Sequence, residues 1–166
     1  MKRRIVALFA LITVLSLSAC GFHLRGASST QLPFKSIYIG IADTSPLGSE
    51  LKRYIRAGSD TRIVTDPKEA EANLEVLSET RDKAILSLNS LGRVSEYTLY
   101  YRFQFRVKDS KGQELLPSTN ITLKRDITFN DSQVLAKEQE EQMLYREMQS
   151  DLVQQILRRL NALKSA

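Results

Sequence analysis

The sequence predicts an α+β fold, a single domain in which two helices, one of them long and C-terminal, pack on a small mixed and mainly antiparallel β-sheet. Three observations lead to this prediction. Residues that alternate between apolar and polar, as in strands with one buried face, fill the middle of the chain. Apolar residues at helical spacing fill two other segments. The resulting order is strand, helix, four strands and a final helix.

The first part of the domain is predicted to hold a strand, a helix and a second strand. Isoleucine occupies every second position from residue 37 to 41, which predicts a strand over residues 36–42. Ser45 as the N-cap and Pro46 as the first helical residue predict where the helix starts. Gly58 predicts where it ends. A short strand follows at residues 62–64.

Three longer strands are predicted next, joined by tight turns. The first runs from residue 72 to about 88, and the tip at residues 89–93 contains a glycine for the backbone angles that a hairpin turn requires. The return strand, residues 97–108, alternates most clearly, with one apolar face and one basic face. A second turn at residues 109–112 leads into a further alternating segment that reaches Phe129.

One long helix is predicted from Asp131 to about Leu163, because no glycine or proline interrupts this segment. Glutamates near its start and basic residues near its end suit the helix dipole. Apolar residues recur every three to five positions and predict a stripe that faces the core. The predicted stripe consists of Met143 or Leu144, then Met148, Leu152, Ile156, Leu160 and Leu163.

The amino-terminal segment has the pattern of a lipoprotein signal. A basic start precedes a predominantly apolar segment of 13 residues, Ile5–Leu17, which matches a signal-peptide core and is too short to span a bilayer. Small residues then precede Cys20, the only cysteine. We predict a cleaved signal peptide at residues 1–19, lipid attachment at Cys20, a lipid-anchored tether at residues 20–34 and the α+β domain at residues 35–166. A chance cysteine after an ordinary signal and an uncleaved anchor remain the alternatives.

Charge and cysteine content exclude some classes of function. The formal net charge is +5, but loss of the three basic residues at positions 2–4 leaves 21 Lys and Arg against 19 Asp and Glu. A nearly balanced charge does not indicate binding to nucleic acid. A single cysteine cannot form a disulfide within the chain, so the core alone must hold the fold.

Catalytic and metal chemistry find little support in the sequence. His23 is the only histidine, and it lies three residues from Cys20, outside the predicted core. A hydrolase needs its base held on a rigid frame. Glycine-rich phosphate-binding motifs are absent from the sequence. We therefore predict no enzymatic activity, no catalytic residues, no metal site and no cofactor. A hydrolase that uses His23 and acts on envelope material is kept as an alternative.

Several basic residues are candidates for anion binding. Arg102, Arg106 and Lys108 lie on one face of a predicted strand. They indicate either a solvated face whose charges discourage edge pairing or a surface that binds phosphates. Arg93 at the hairpin tip and Lys137 near the start of the last helix are the other candidates. Because exposed tips carry binding functions more often than strand centres do, Arg93 is preferred over the strand residues.

Four stretches of the chain are similar to one known family. The stretches are Cys20–Arg25 directly after the lipid-attachment motif, Ser95–Tyr97 at the entry to the return strand, Leu135–Lys137 at the start of the long helix, and Glu147–Met148 further along it. In this order they resemble the LptE family, the lipopolysaccharide-assembly lipoproteins of Gram-negative outer membranes. The likeness covers nearly all of the chain after the predicted cleavage site.

The resemblance implies a function and partners. LptE-like proteins have two helices on a small mixed sheet and form a one-to-one complex with LptD, an outer-membrane β-barrel. They plug that barrel, support its assembly and bind lipopolysaccharide on its way to the cell surface. The implied location is the periplasmic face of the outer membrane, which Gly21 after the anchor favours. A free-standing periplasmic lipid carrier is the alternative.

The resemblance also implies residues that bind lipopolysaccharide. The family uses a basic residue near the start of the last helix, and this position is Lys137 here. The family's second basic residue is an arginine in the hairpin loop. The matching position here is Ser90, and Arg93, three residues further on, is the candidate substitute.

Overall fold

The computed structural model describes residues 31–163. Its elements follow the predicted order of strand, helix, four strands and helix, and they form one α+β domain, which confirms the predicted fold class. The elements are β1 (Ser36–Ile39), α1 (Pro46–Gly58), β2 (Arg62–Val64), β3 (Ala72–Leu88), β4 (Val94–Asp109), β5 (Glu114–Thr128) and α2 (Val134–Asn161), with short 3-10 turns at Pro67–Glu69 and Asp131–Gln133.

The five strands form one mixed sheet in the order β2-β1-β3-β4-β5. β1 is the strand that makes it mixed, because it pairs in parallel with both β2 and β3. The pairs β3–β4 and β4–β5 are antiparallel and much longer. β1 pairs with β3 only over Ala72–Leu74. From there to Leu88, β3 pairs with β4 on one side, and the three long strands form an arm that extends beyond β1 and β2.

Both helices pack on one face of the sheet, and the core lies between them and the strands. Alternate residues of β4 are buried, whereas their neighbours face the side of the sheet that carries no helix. On α2, the predicted stripe is confirmed, with Leu144 rather than Met143 packing against the core. The large side chains that are almost fully buried are Tyr101, Phe103, Phe105, Ile37, Leu47, Leu51, Ile55, Leu74, Leu99, Met148, Leu152 and Ile156.

α1 begins and ends at the predicted residues. Ser45 is the N-cap, and its hydroxyl accepts a hydrogen bond from the Gly48 backbone N–H at 3.5 Å. The helix ends at Gly58, but Gly58 does not adopt the left-handed backbone that a glycine often takes at the end of a helix. Ser59, the residue after the helix, caps its end: the N–H and the hydroxyl of Ser59 both donate to the Ile55 carbonyl, at 3.0 and 2.8 Å.

Several boundaries differ from the sequence prediction. β4 begins at Val94, three residues before the predicted start at residue 97, and α2 ends at Asn161, short of Leu163. β1 stops at Ile39 rather than at residue 42, although the Gly40 N–H still donates to the Leu74 carbonyl at 2.9 Å. The chain then turns toward α1, and this turn ends the pairing. The predicted last helix starts at Asp131 with a single 3-10 turn, and α-helical structure begins only at Val134.

The long arm gives the domain two distinct ends. The β4–β5 turn at residues 109–112 lies at the proximal end. Residues 31–35, where the described part of the chain begins, lie close to this turn. Ala72 pairs with Asp109, and the neighbouring Glu71 accepts a hydrogen bond from the Lys35 N–H. At the distal end lie the hairpin tip, residues 89–93, and the start of α2. The helices that the structure describes contain no stretch long and apolar enough to cross a bilayer.

Candidate functional site

The hairpin tip at the distal end is a tightly bonded turn. The Asn89 N–H donates to the Arg93 carbonyl at 2.8 Å, and the Gly92 N–H donates to the Asn89 carbonyl at 3.0 Å. The Asn89 side chain accepts from the N–H groups of Leu91 and Arg93, at 2.9 and 3.0 Å. Gly92 has a φ of 73°, as the turn prediction required. These bonds fix the direction in which the tip presents its side chains.

The tip is joined to the segment that leads into α2. The Phe129 N–H donates to the Ser95 carbonyl at 2.7 Å, and the rings of Tyr97 and Phe129 meet edge to face with centroids 5.4 Å apart. Arg93 Nη1 lies 3.6 Å from Asp131 Oδ2. The fold therefore places the tip beside the start of α2, where Lys137 lies, and brings the two predicted site residues to the same end of the domain.

The two cations at this end are held differently. Lys137 Nζ donates to Thr128 Oγ1 and to Glu140 Oε2, both at 2.8 Å, and its side chain is only 16% exposed. An ammonium has three donors, so these two partners leave one for a ligand. Arg93 is 63% exposed, and its ion pair with Asp131 is long. An exposed pair of this kind contributes little free energy and is readily exchanged.

The basic face of β4 is neutralised by its neighbours. Arg102 forms an ion pair with Asp82, and both Arg106 and Lys108 contact the Glu75 carboxylate, at 2.6 and 3.2 Å. The hydrogen bond from Arg106 holds the pKa of Glu75 below its ordinary value, and Lys108 adds to this effect. These pairs favour the interpretation of this face as a solvated, charge-balanced surface rather than as an anion-binding one.

A partly buried polar network under α2 was not predicted. Glu50 on α1 is 9% exposed, and its carboxylate accepts from Gln149 Nε2 at 2.7 Å and from the Ser150 hydroxyl at 2.8 Å. Gln149 also accepts from Arg81 at 3.2 Å, and Arg81 donates to the Tyr101 hydroxyl at 3.0 Å. The network ties both helices to the centre of the sheet.

The network escaped prediction because its members are far apart in the sequence. Tyr101 has the alternation of an ordinary core residue, and its hydroxyl donates to Glu79 at 2.6 Å. Burial raises the pKa of Tyr101, and the hydrogen bond to Glu79 adds to the rise. The sequence does contain one indication of this network, which is a polar residue, Arg81, on the core-facing side of β3. That side can be recognised only when the register between β3 and β4 is known, because the register pairs Arg81 with Tyr101.

Two residues from the sequence analysis lie outside the described range. These are Cys20, the predicted lipid-attachment site, and His23, the candidate base of the hydrolase alternative. Within residues 31–163, no three His, Cys, Asp or Glu side chains are grouped so that they could hold a metal ion.

Comparison with known proteins decides the family. A model of the family described as LptE: Lipopolysaccharide-assembly matches residues 34–160, a range that includes all five strands, α1 and all but the last residue of α2. This chain belongs to the LptE family. The resemblance inferred from the sequence is thereby confirmed. LptE proteins are lipopolysaccharide-assembly lipoproteins and not enzymes, which also confirms the prediction that the chain has no enzymatic activity.

Individual relatives agree with this result. The chain is 28% identical over 162 residues to the LPS-assembly lipoprotein LptE of Pectobacterium atrosepticum, covering 96% of this chain and 86% of that protein. Among solved structures, lipoprotein B of Nitrosomonas europaea is similar with a TM-score of 0.73 and 42% identity, covering 86% of this chain and 91% of that one. A minor lipoprotein of Acinetobacter baumannii is similar with a TM-score of 0.65 and 28% identity, covering 81% and 98%.

Proposed function

We propose that this LptE protein is an outer-membrane lipoprotein that plugs the LptD β-barrel, helps to assemble it, and binds lipopolysaccharide during transport to the cell surface. The match of the LptE family model to residues 34–160 is the observation that carries this proposal. LptD is its proposed one-to-one partner, and Arg93 and Lys137 are the proposed contacts to lipopolysaccharide.

The surface of the domain suits a plug. Porin-type barrels have polar lumens, so a plug needs a polar exterior whose charges do not require new partners. The face of the sheet that carries no helix meets this requirement, because Arg102 and Arg106 already form ion pairs with Asp82 and Glu75 across neighbouring strands. Charges that are balanced within the domain lower the desolvation cost when another polar surface approaches.

The proposed anchor places the domain at the membrane. Of the predicted tether, residues 20–34, the part that precedes the described chain, residues 20–30, reaches at most roughly 40 Å when fully extended. Tethering converts the encounter with a barrel in the same membrane into an effectively intramolecular event and raises the local concentration. The described chain begins at the proximal end, so the end that carries Arg93 is opposite to the end that receives the tether.

Lipopolysaccharide is a phosphorylated glycolipid, and its phosphates suit the two cations at the distal end. Arg and Lys give short charge-assisted hydrogen bonds to phosphate oxygens. The long ion pair between Arg93 and Asp131 is weak enough for a phosphate to compete with the carboxylate. In the proposed site, a phosphate therefore replaces the Asp131 carboxylate as the partner of Arg93. It does not bind to a surface of unpaired positive charge.

Mild detergent extraction of the lipidated protein from native membranes tests the proposal. A plug is expected to leave the membrane in a one-to-one complex with an LptD-type barrel, identified by mass spectrometry. The free-standing lipid carrier, which is the alternative, is expected to emerge alone with lipid bound. Recovery of the protein without a barrel in several mild detergents would contradict the plug.

A further inference from the structure

The distal end also carries most of the large hydrophobic side chains that are exposed in the described chain. Nine large hydrophobic side chains are exposed among residues 31–163, and six of them lie at this end. The other three are scattered over α1, β3 and α2. We call the six residues the distal apolar patch: Ile85, Leu86, Leu88, Leu91, Val134 and Leu135, which are between 40% and 77% exposed.

The fold brings the two segments that carry these six residues, the hairpin end of β3 and the start of α2, to the same end of the domain. Ile85 pairs with Tyr97 and faces the same side of the sheet as Lys83, which bonds to Glu141 of α2 at 2.9 Å. Ile85 is two residues nearer the tip than Lys83, so it lies alongside the earlier turns of α2, where Val134 and Leu135 are found. The remaining three residues belong to the hairpin end itself.

The exposure of the patch follows from the geometry of the tip. Leu91 is 73% exposed although its own N–H is bonded to the Asn89 side chain, and Leu88 pairs with Val94 at the last register position of the hairpin. The hydrogen-bonded turn holds the Leu91 side chain toward solvent, so the fold lacks the stabilising free energy that burial of this side chain would give. Apolar groups exposed together in this way mark sites that bind another molecule.

The chemistry around the patch selects an anionic amphiphile. Arg93 is two residues from Leu91 at the hairpin tip, and Lys137 lies one helical turn after Val134 on the same face of α2, so a cation adjoins the apolar surface on both the hairpin and the helix. This combination matches a molecule with phosphate groups next to hydrocarbon chains. A polar barrel lumen offers no apolar partner for the patch. The patch is also at the end opposite to the one where the described chain begins, which disfavours insertion into the bilayer that would hold the anchor.

We propose that the distal apolar patch contacts the acyl chains of lipopolysaccharide while Arg93 and Lys137 bind its phosphates. The inference rests on the proposed function and extends it from the headgroup to the lipid part of the ligand. The patch and the cations then form one amphipathic site, in which the apolar part supplies affinity for the hydrocarbon and the charged part fixes the phosphates.

A titration with two forms of the ligand tests this inference. The purified full-length lipoprotein, alone and in its complex with the barrel, is titrated with intact lipopolysaccharide and with fully deacylated lipopolysaccharide, which keeps the sugars and phosphates. The variants are Leu88→Ser with Leu91→Ser, and Lys137→Glu. Leu77→Ser is the matched control, because Leu77 is an exposed leucine of the same strand outside the patch.

The two variants are expected to differ. Leu88→Ser with Leu91→Ser should weaken binding of intact lipopolysaccharide by about tenfold or more and leave binding of the deacylated form unchanged. Lys137→Glu should weaken both, and Leu77→Ser neither. If the double variant loses its fold by circular dichroism, Leu135→Ser on α2 replaces it with the same expectation.

Other outcomes separate the inference from the proposed function. Equal binding of intact lipopolysaccharide by the double variant and the wild type, with a loss for Lys137→Glu, overturns the acyl contact and leaves the headgroup site standing. Absence of binding in the wild type overturns the proposed lipopolysaccharide binding itself. Loss of the barrel complex in the double variant, with unchanged affinity for lipopolysaccharide, identifies the patch as a protein contact and overturns the inference.

Discussion

Glu75 on β3 shows how single residues balance the charge of the exposed sheet face. Its carboxylate lies opposite Arg106 in the β3–β4 register and contacts Arg106 Nε at 2.6 Å and Lys108 Nζ at 3.2 Å. One carboxylate thus compensates two cations of the neighbouring strand. The hydrogen bond from Arg106, together with the charge of Lys108, lowers the pKa of Glu75.

The lowered pKa of Glu75 predicts a pH-dependent contribution to stability. A carboxyl whose pKa is lower in the folded state stabilises the fold above its unfolded pKa, near 4.5, and loses this contribution as pH falls through the folded value. Glu75→Gln should therefore reduce the free energy of unfolding at pH 7, by less than about 1 kcal/mol because the carboxylate is partly exposed. The reduction should shrink as the pH is lowered from 7 to 3, as measured by urea denaturation.

Glu147→Gln is the control for this prediction. Glu147 is exposed on α2 and makes no ion pair with any other residue of the described range. Its replacement should leave the free energy of unfolding nearly unchanged at both pH values. A cost of Glu75→Gln that does not shrink between pH 7 and pH 3, or that grows, would contradict the assigned ion pairs.

Among single residues, Arg93 and Lys137 were candidates from their charge and position, and the resemblance to the family added their role in binding lipopolysaccharide. Only the structure shows which residues surround them. A lone basic residue in a sequence carries no information on which carboxylate it meets. Neither Asp131 beside Arg93 nor Thr128 beside Lys137 could be inferred, because both contacts depend on how β5 leads into α2. Their role as ligand contacts stays a prediction.

At the scale of elements, local patterns predicted the strands and helices, whereas partners and irregularities depended on tertiary structure. The alternation of β4 and the apolar stripe of α2 predicted their buried faces correctly. The parallel pairing of β1 with its two neighbours has no local signal, because any half-buried strand has the same alternation. The β3–β4 register shifts at Leu77 and again at Leu86, and such bulges cannot be read from residue periodicity.

Gly48 in α1 gives a test of how closely this helix packs. A Cβ atom at this position would lie 2.6 Å from the Ala42 carbonyl oxygen and 2.8 Å from Ile41 Cγ2. Gly→Ala inside a helix ordinarily stabilises by about 1 kcal/mol. Here Gly48→Ala should instead destabilise the domain by about 1–3 kcal/mol, because the backbone or Ile41 must shift.

Chemical denaturation of Gly48→Ala beside Ser49→Ala measures this effect. Ser49 is exposed on the same turn of α1, so its replacement should change the free energy of unfolding by no more than about 0.5 kcal/mol. An unfolding midpoint for Gly48→Ala equal to or above that of the wild type would show that the close approach of α1 to the segment after β1 is wrong.

At the scale of the whole molecule, the domain is an elongated body with different chemistry at its two ends. β4 has 16 residues and spans roughly 50 Å at the rise of a strand. The described chain begins at the proximal end, and the two proposed phosphate contacts and the distal apolar patch lie at the distal end. In the proposed function, the tether holds one end near the periplasmic leaflet while the other end meets lipopolysaccharide.

Photo-crosslinking in cells tests this arrangement most directly. Ser90 and Ser110 are exposed serines in the two hairpin turns at opposite ends of the arm, so a photoreactive amino acid at either position is a matched comparison. The account predicts a lipopolysaccharide adduct from position 90 and none from position 110 in protein that remains bound to its barrel. Adducts of equal yield from both positions, or from position 110 alone, would contradict the distal end as the site of ligand contact.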